Sequence, residues 1–185
     1  MYFYSNTAPE LMAYILEQAY EKPYTNLIDE LFTSMNMPNT TFRLDEKQAM
    51  ALVKGYNGDG TLMSNLHSSL WGGSVGIHST SQDMLQFIKH QLSDTVDLVN
   101  ESHKELFTIN EEHSVGYFWH IVEQEGVVSY RNHGGIYGMQ NWLMIYPGHD
   151  IGISVITNVS FDGVDDRLEK LADNLLFDLL KLKQQ

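Results

Sequence analysis

The sequence contains no cysteine. Disulfides, thiolate metal sites and cysteine nucleophiles are therefore excluded, while the compartment stays open. Positive charge is scarce. Eleven Lys and Arg stand against 24 Asp and Glu, a formal net charge of −13. A nucleic-acid partner needs a basic face, so the charge argues against that class and against an anionic membrane surface as partner. A solvated acidic surface is the plain consequence. No apolar run approaches ~20 residues, so no membrane-spanning helix is expected. The first residues show no charged region followed by an apolar core, so no signal peptide is expected. What is present is a chain of 185 residues, 43% hydrophobic and 11% aromatic. That suffices for a packed core, with one domain as the default.

The order of patterns along the chain predicts an α+β fold. Thr7-Ala8-Pro9-Glu10 reads as a capping box. Leu11, Tyr14, Ile15 and Ala19 follow at helical spacing to about residue 21, where Lys22-Pro23 breaks the helix. A second helix is predicted over 24–35, with Leu27, Ile28, Leu31 and Phe32 on one face. Residues 43–71 read as a long, partly irregular excursion with strong turn chemistry at Gly55-Tyr56-Asn57-Gly58-Asp59-Gly60. Thr80-Ser81-Gln82-Asp83 is a second capping box. The helix it opens runs to about residue 92, with Met84, Phe87, Ile88 and Leu92 as its apolar face. A shorter helix is predicted near 101–107. From residue 115 the period changes to that of strands: 115–123, 127–133, 139–146 and 150–158. A helix over 164–183 closes the pattern, with Leu168, Leu171, Leu175, Leu179 and Leu182 along one side. Helices, then a meander, then a covering helix divide the chain into a helical region 1–110 and a sheet region 111–185.

One stretch organises the rest: Tyr130-Arg131-Asn132-His133-Gly134-Gly135-Ile136-Tyr137-Gly138-Met139-Gln140-Asn141-Trp142-Leu143-Met144-Ile145-Tyr146. A strand ends in a histidine, passes a glycine-rich turn and returns as an aromatic, β-branched strand. Glycines let a backbone pass close to a ligand, because no Cβ obstructs it. A histidine at that opening can donate, accept or carry charge near neutral pH.

Four motifs in order carry a family resemblance. Phe3-Tyr4-Ser5-Asn6-Thr7 resembles the Tyr-x-Asn motif of serine β-lactamases and penicillin-binding proteins, nearest to the class C β-lactamase and D,D-peptidase branch. Met35-x-Met37-x-x-Thr40, Gly76-Ile77-His78-Ser79-Thr80-Ser81-Gln82-Asp83-Met84 and His133-Gly134-Gly135 are similar to later stretches of that family. The resemblance covers nearly the whole chain and implies the C-terminal part of the β-lactamase/transpeptidase fold. It implies a small-molecule or peptide substrate, no cofactor, no metal, and a periplasmic or extracellular place for the full-length parent. By resemblance, Tyr4 is the proton shuttle and Asn6 binds the substrate amide. His133 stands where lysine is common and assists proton movement or binds substrate charge. Gly134 and Gly135 let the strand lie against substrate, and the Ile136 N–H is an oxyanion donor. Losing one such donor typically costs about 2.7–4 kcal/mol of barrier.

The departure from the family lies at the nucleophile. That residue is a serine followed three positions later by lysine, and no serine here has lysine at that spacing. A free tyrosine has a pKa near ~10, so Tyr4 needs a neighbouring cation to act as a base. The resemblance therefore implies part of a serine hydrolase with little activity alone, cut before its tyrosine motif. The alternative is a non-catalytic binding module or partner subunit using the same cleft. A third reading takes Ser74 as nucleophile, because Gly72-Gly73-Ser74-Val75-Gly76 fits G-x-S-x-G. That elbow requires a strand directly before it, and 65–71 is no clean strand. Eight histidines include no His-Glu-x-x-His pairing. In the family the last strand pairs with an N-terminal strand that is missing here. An unpaired apolar edge at 151–157, open to self-association, is expected.

Overall fold

The computed structural model describes residues 2–64, 72–93 and 95–183. The expected α+β order is observed, and the chain divides into two compact units. The first holds the described residues up to 53 and 72–87. The second holds 54–64 and the described residues from 88 onward. Among the described residues no helix is long and apolar enough to cross a membrane.

In the first unit, α1 spans Thr7–Tyr20 and α2 spans Tyr24–Ser34. The predicted capping box at Thr7 does not form. Asn6 occupies the N-cap position without a side-chain cap bond, and Ser5 Oγ accepts from the Thr7 N–H at 3.1 Å. Glu10 is drawn instead to residue 74. The break at Lys22-Pro23 is real: Glu21 turns left-handed at φ 50°, and Glu17 accepts from the Tyr24 N–H at 2.8 Å. Phe32, Met35 and Met37 form a small core with Ile28 and Phe87. The excursion after residue 43 is more ordered than its sequence suggests. It contains α3 (Glu46–Ala51), opened by a reciprocal capping box between Asp45 and Gln48.

The second unit begins with β1 (Tyr56–Asn57). The turn expected after Gly55 is observed, with the Asn57 carboxamide oxygen and an Asp59 carboxylate oxygen both accepting from the Thr61 N–H. Helix α4 (Ser81–Gln91) starts in the first unit and ends in the second. Half of its predicted box forms: Thr80 Oγ1 accepts from the Asp83 N–H at 3.2 Å. The Asp83 carboxylate is used elsewhere. It accepts from the Asn39 N–H at 2.7 Å and the Thr40 hydroxyl at 2.8 Å.

Helix α5 is Asp97–Ser102, earlier than predicted. The Leu106 N–H donates to the Val115 carbonyl, which draws the next residues into a strand rather than a helix. The sheet is a six-stranded antiparallel meander in chain order: β2 (Phe107–Thr108), β3 (His113–Val115), β4 (His120–Gln124), β5 (Val127–Ile136), β6 (Met139–Tyr146) and β7 (Ile151–Thr157). The single strand predicted over 115–123 is two, split by a turn in which Phe118 adopts φ 62° and the Gly116 N–H donates to the Trp119 carbonyl. Strand β8 (Val159–Ser160) pairs in parallel with β1. Among the described residues nothing pairs beyond β7.

Helix α6 (Val164–Lys183) covers one sheet face. Met144, Tyr146, Ile151, Ile153 and Val155 pack on Leu168, Ala172 and Leu176. This corrects the predicted stripe. Of its five leucines only Leu168 is buried, while Leu171, Leu175, Leu179 and Leu182 are exposed. Ala172 lies at the centre of the contact and lets the helix approach the sheet. On the opposite face Ile88 fills the space that a side chain at Gly152 would need.

Candidate functional site

The residues singled out from sequence fall into both units. Tyr4 and Asn6 stand at the start of α1. The sequence turns one short segment into a helix with Asn6 at its mouth, and this brings their side chains together. The Tyr4 hydroxyl donates to Asn6 Oδ1 at 2.8 Å, with both residues exposed. Asn6 is therefore not spent on capping the helix.

His133, Gly134, Gly135 and Ile136 form the end of β5. The connection to β6 is two residues, Tyr137-Gly138, with Gly138 at φ 75°. A turn this short fixes the register: Ile136 opposes Met139, Gly135 opposes Gln140, Gly134 opposes Asn141 and His133 opposes Trp142. The glycine pair therefore faces two carboxamides. Asn141 Nδ2 lies 2.6 Å from where a Gly134 Cβ would be, and donates to the Gly134 carbonyl at 3.2 Å. A Cβ on Gly135 would overlap the Gln140 carboxamide. Gln140 Oε1 meets His133 Nε2 at 2.9 Å, and Gln140 Nε2 donates to the Ser160 hydroxyl at 3.1 Å. The Trp142 ring lies 5.0 Å from the imidazole, centroid to centroid, and its indole N–H donates to the Asp165 carbonyl at 3.0 Å. The glycine gap thus holds side chains of the neighbouring strand. Gln140 and Asn141 lie in the stretch singled out from sequence but were given no role there, and Ser160 was not singled out; the two-residue hairpin was the signal for the first two.

Ser74 is tied down. Its hydroxyl and its N–H both donate to Glu10 Oε1, at 2.5 and 2.9 Å, and Glu10 is buried. A Cβ on Gly73 would overlap the Pro9 carbonyl, so the glycine lets this turn sit against α1. The stretch 65–71, on which the elbow reading depends, lies outside the described residues. Among the described residues no group of three or more His, Asp or Glu is placed to hold a metal. A separate cavity of about 560 Å³ in the second unit is lined in part by Gln91, His103, Lys104, Tyr130 and Asp150. Its lining includes Tyr130 but none of Tyr4, Asn6, His133, Gly134, Gly135 and Ile136.

Known proteins share this fold. The sequence pattern described as Beta-lactamase matches residues 1–176. The D-alanyl-D-alanine-carboxypeptidase/endopeptidase AmpH of Escherichia coli (strain K12) is 34% identical over 91 residues, 49% of this chain and 23% of that protein. The D-alanine carboxypeptidase AmpC from Burkholderia cenocepacia superposes with a TM-score of 0.83 at 17% identity, covering 95% of this chain and 60% of the other. A class C beta-lactamase superposes with a TM-score of 0.84 at 18% identity, covering 95% and 57%. This chain spans less than two thirds of each relative.

Proposed function

Because this chain belongs to the beta-lactamase family, we propose that Tyr4, Asn6, His133, Gly134, Gly135 and Ile136 serve acyl transfer through a serine that these 185 residues do not supply. The hydrogen bond between Tyr4 and Asn6 carries the reading. It keeps Asn6 out of capping and aligns the phenol, whose lone pairs can still accept a hydrogen bond. Tyr4 is the proton shuttle and Asn6 a substrate-amide partner. His133 assists proton movement, the glycine pair receives the substrate backbone, and the Ile136 N–H serves the oxyanion. The substrate class is a β-lactam, a D-alanyl peptide, an ester or a related amide. AmpH and AmpC, named for D-alanyl substrates, favour the peptide.

By itself the chain has little or no hydrolytic activity, since no serine is followed three positions later by lysine. Incubation with a fluorophosphonate probe and an activated ester tests this. The expected result is no labelling and no turnover above buffer. Labelling at Ser74 would overturn it and make the chain an enzyme with a different nucleophile. Saturable binding of a D-alanyl peptide without turnover would favour a binding module. The coding sequence upstream of Met1 tests the positive half. If it supplies Ser-x-x-Lys, Tyr4→Phe in the longer protein should lower kcat about 10²–10⁴-fold. The sheet edge at β7 is a further proposed partner surface, for a second copy of the chain.

A further inference from the structure

We propose that Gln140 is a positioning residue that holds His133 in its Nε2-protonated form and leaves Nδ1 as the acceptor of the ring. Its functional consequence rests on the reading of His133 as a proton-handling group. The geometry starts at Ser160. Gln140 Nε2 lies on the Ser160 hydroxyl at 3.1 Å, and the carboxamide oxygen is placed on the side of His133. That oxygen meets His133 Nε2 at 2.9 Å. A carboxamide oxygen only accepts, so the hydrogen must sit on the histidine nitrogen. In a neutral imidazole the other nitrogen then has none.

Two further features fit this device. A side chain on Gly135 would occupy the place of the Gln140 carboxamide. The glycine opposite Gln140 is thus what allows the amide to lie across the strand and reach His133. The Trp142 ring flanks the imidazole and is itself anchored to the Asp165 carbonyl. The consequence is chemical. A lysine at this position offers donors only. A histidine whose Nε2–H is held by Gln140 presents an acceptor, so it takes a proton or a donor group of the substrate at Nδ1.

Nitrogen-detected NMR of the ¹⁵N-histidine-labelled chain, above the pH at which the ring is charged, reads the tautomer directly. In the wild type His133 Nε2 should resonate as a protonated, pyrrole-type nitrogen and Nδ1 as an unprotonated, pyridine-type one. Gln140→Leu should move the tautomer ratio about five-fold toward Nδ1–H, the scale of one lost hydrogen bond. Gln140→Glu keeps the acceptor and should restore the Nε2–H form. Gly135→Ala should displace the amide and act in the same direction as Gln140→Leu. A merely structural Gln140 would alter stability without moving the ratio. A wild type that is mainly Nδ1–H, or a Gln140→Leu ratio equal to wild type, would overturn the proposal. Neither readout needs catalysis, so failure here is distinct from failure of the acyl-transfer reading.

Discussion

Among the described residues three charged side chains are buried, Glu10, Asp83 and Arg131, and each has bonds that offset its desolvation. Glu10 holds the turn at Ser74. Asp83 pins the exit of α2 through Asn39 and Thr40. Arg131 donates to Ser129 Oγ at 2.7 Å and pairs with Glu169 at 3.0 Å and Asp173 at 3.3 Å, which joins β5 to α6. Tyr146 donates to Asp173, and burial pushes its phenol above the ordinary value. The histidines behave differently. His103 stacks on Tyr130 with centroids 3.9 Å apart, and burial pushes it below the ordinary histidine value. Burial also lowers His120, with His113 adding to the effect. Both folded rings hold protons more weakly than the unfolded chain does, so stability is full above about pH 6.5 and falls as pH drops toward the folded values. Urea midpoints should therefore be lower at pH 5.5 than at pH 7.5. His103→Gln should flatten that difference while lowering both midpoints. Equal wild-type midpoints at the two pH values would contradict it.

At the scale of the element, α6 separates two stripes that share one residue. The leucine spacing in the sequence favours 168, 171, 175, 179 and 182. The sheet selects 164, 168, 172 and 176, because the small Ala172 allows close approach and the larger neighbours flank it. Leu168→Ala and Leu176→Ala should each cost about 2–5 kcal/mol, while Leu175→Ala and Leu182→Ala should cost less than about 1 kcal/mol. Chemical denaturation of the four variants decides between the stripes. A larger loss at 175 or 182 would restore the leucine face. The helix α3 shows the reverse case. Asp45-x-x-Gln48 was a legible capping signal, hidden by the absence of a long apolar period around it. The strand break at 116–119 was harder to read, since it depends on a left-handed Phe118 that aromatic composition disguises as strand.

At the scale of the molecule, β7 ends the sheet among the described residues and presents Ile156 at 66% exposure. An apolar strand edge pairs with another chain when one is available. Sedimentation velocity should show a mass above the 21.2 kDa protomer that grows with concentration. Ile156→Lys should return it to the protomer, and 151–157 should be protected from hydrogen exchange only in the associated form. Leu175→Glu with Leu182→Glu provides the contrast. If that pair, and not Ile156→Lys, abolishes association, the exposed side of α6 is responsible instead of the edge.

The sequence alone determined the local elements. The limits of β6 and α6, the break after α1 and the glycine pair after His133 follow from residues adjacent in the chain, where turn chemistry and periodicity act directly. It also determined the family order of motifs and the lack of a Ser-x-x-Lys nucleophile, since both are readable as spacing. Tertiary structure decided which face of α6 is buried, that Glu10 serves Ser74 instead of its own helix, and that Gln140 and Ser160 orient His133. Each of these depends on a partner from a distant stretch of chain. Periodicity records that a face is apolar, but packing and hydrogen bonding choose what it meets.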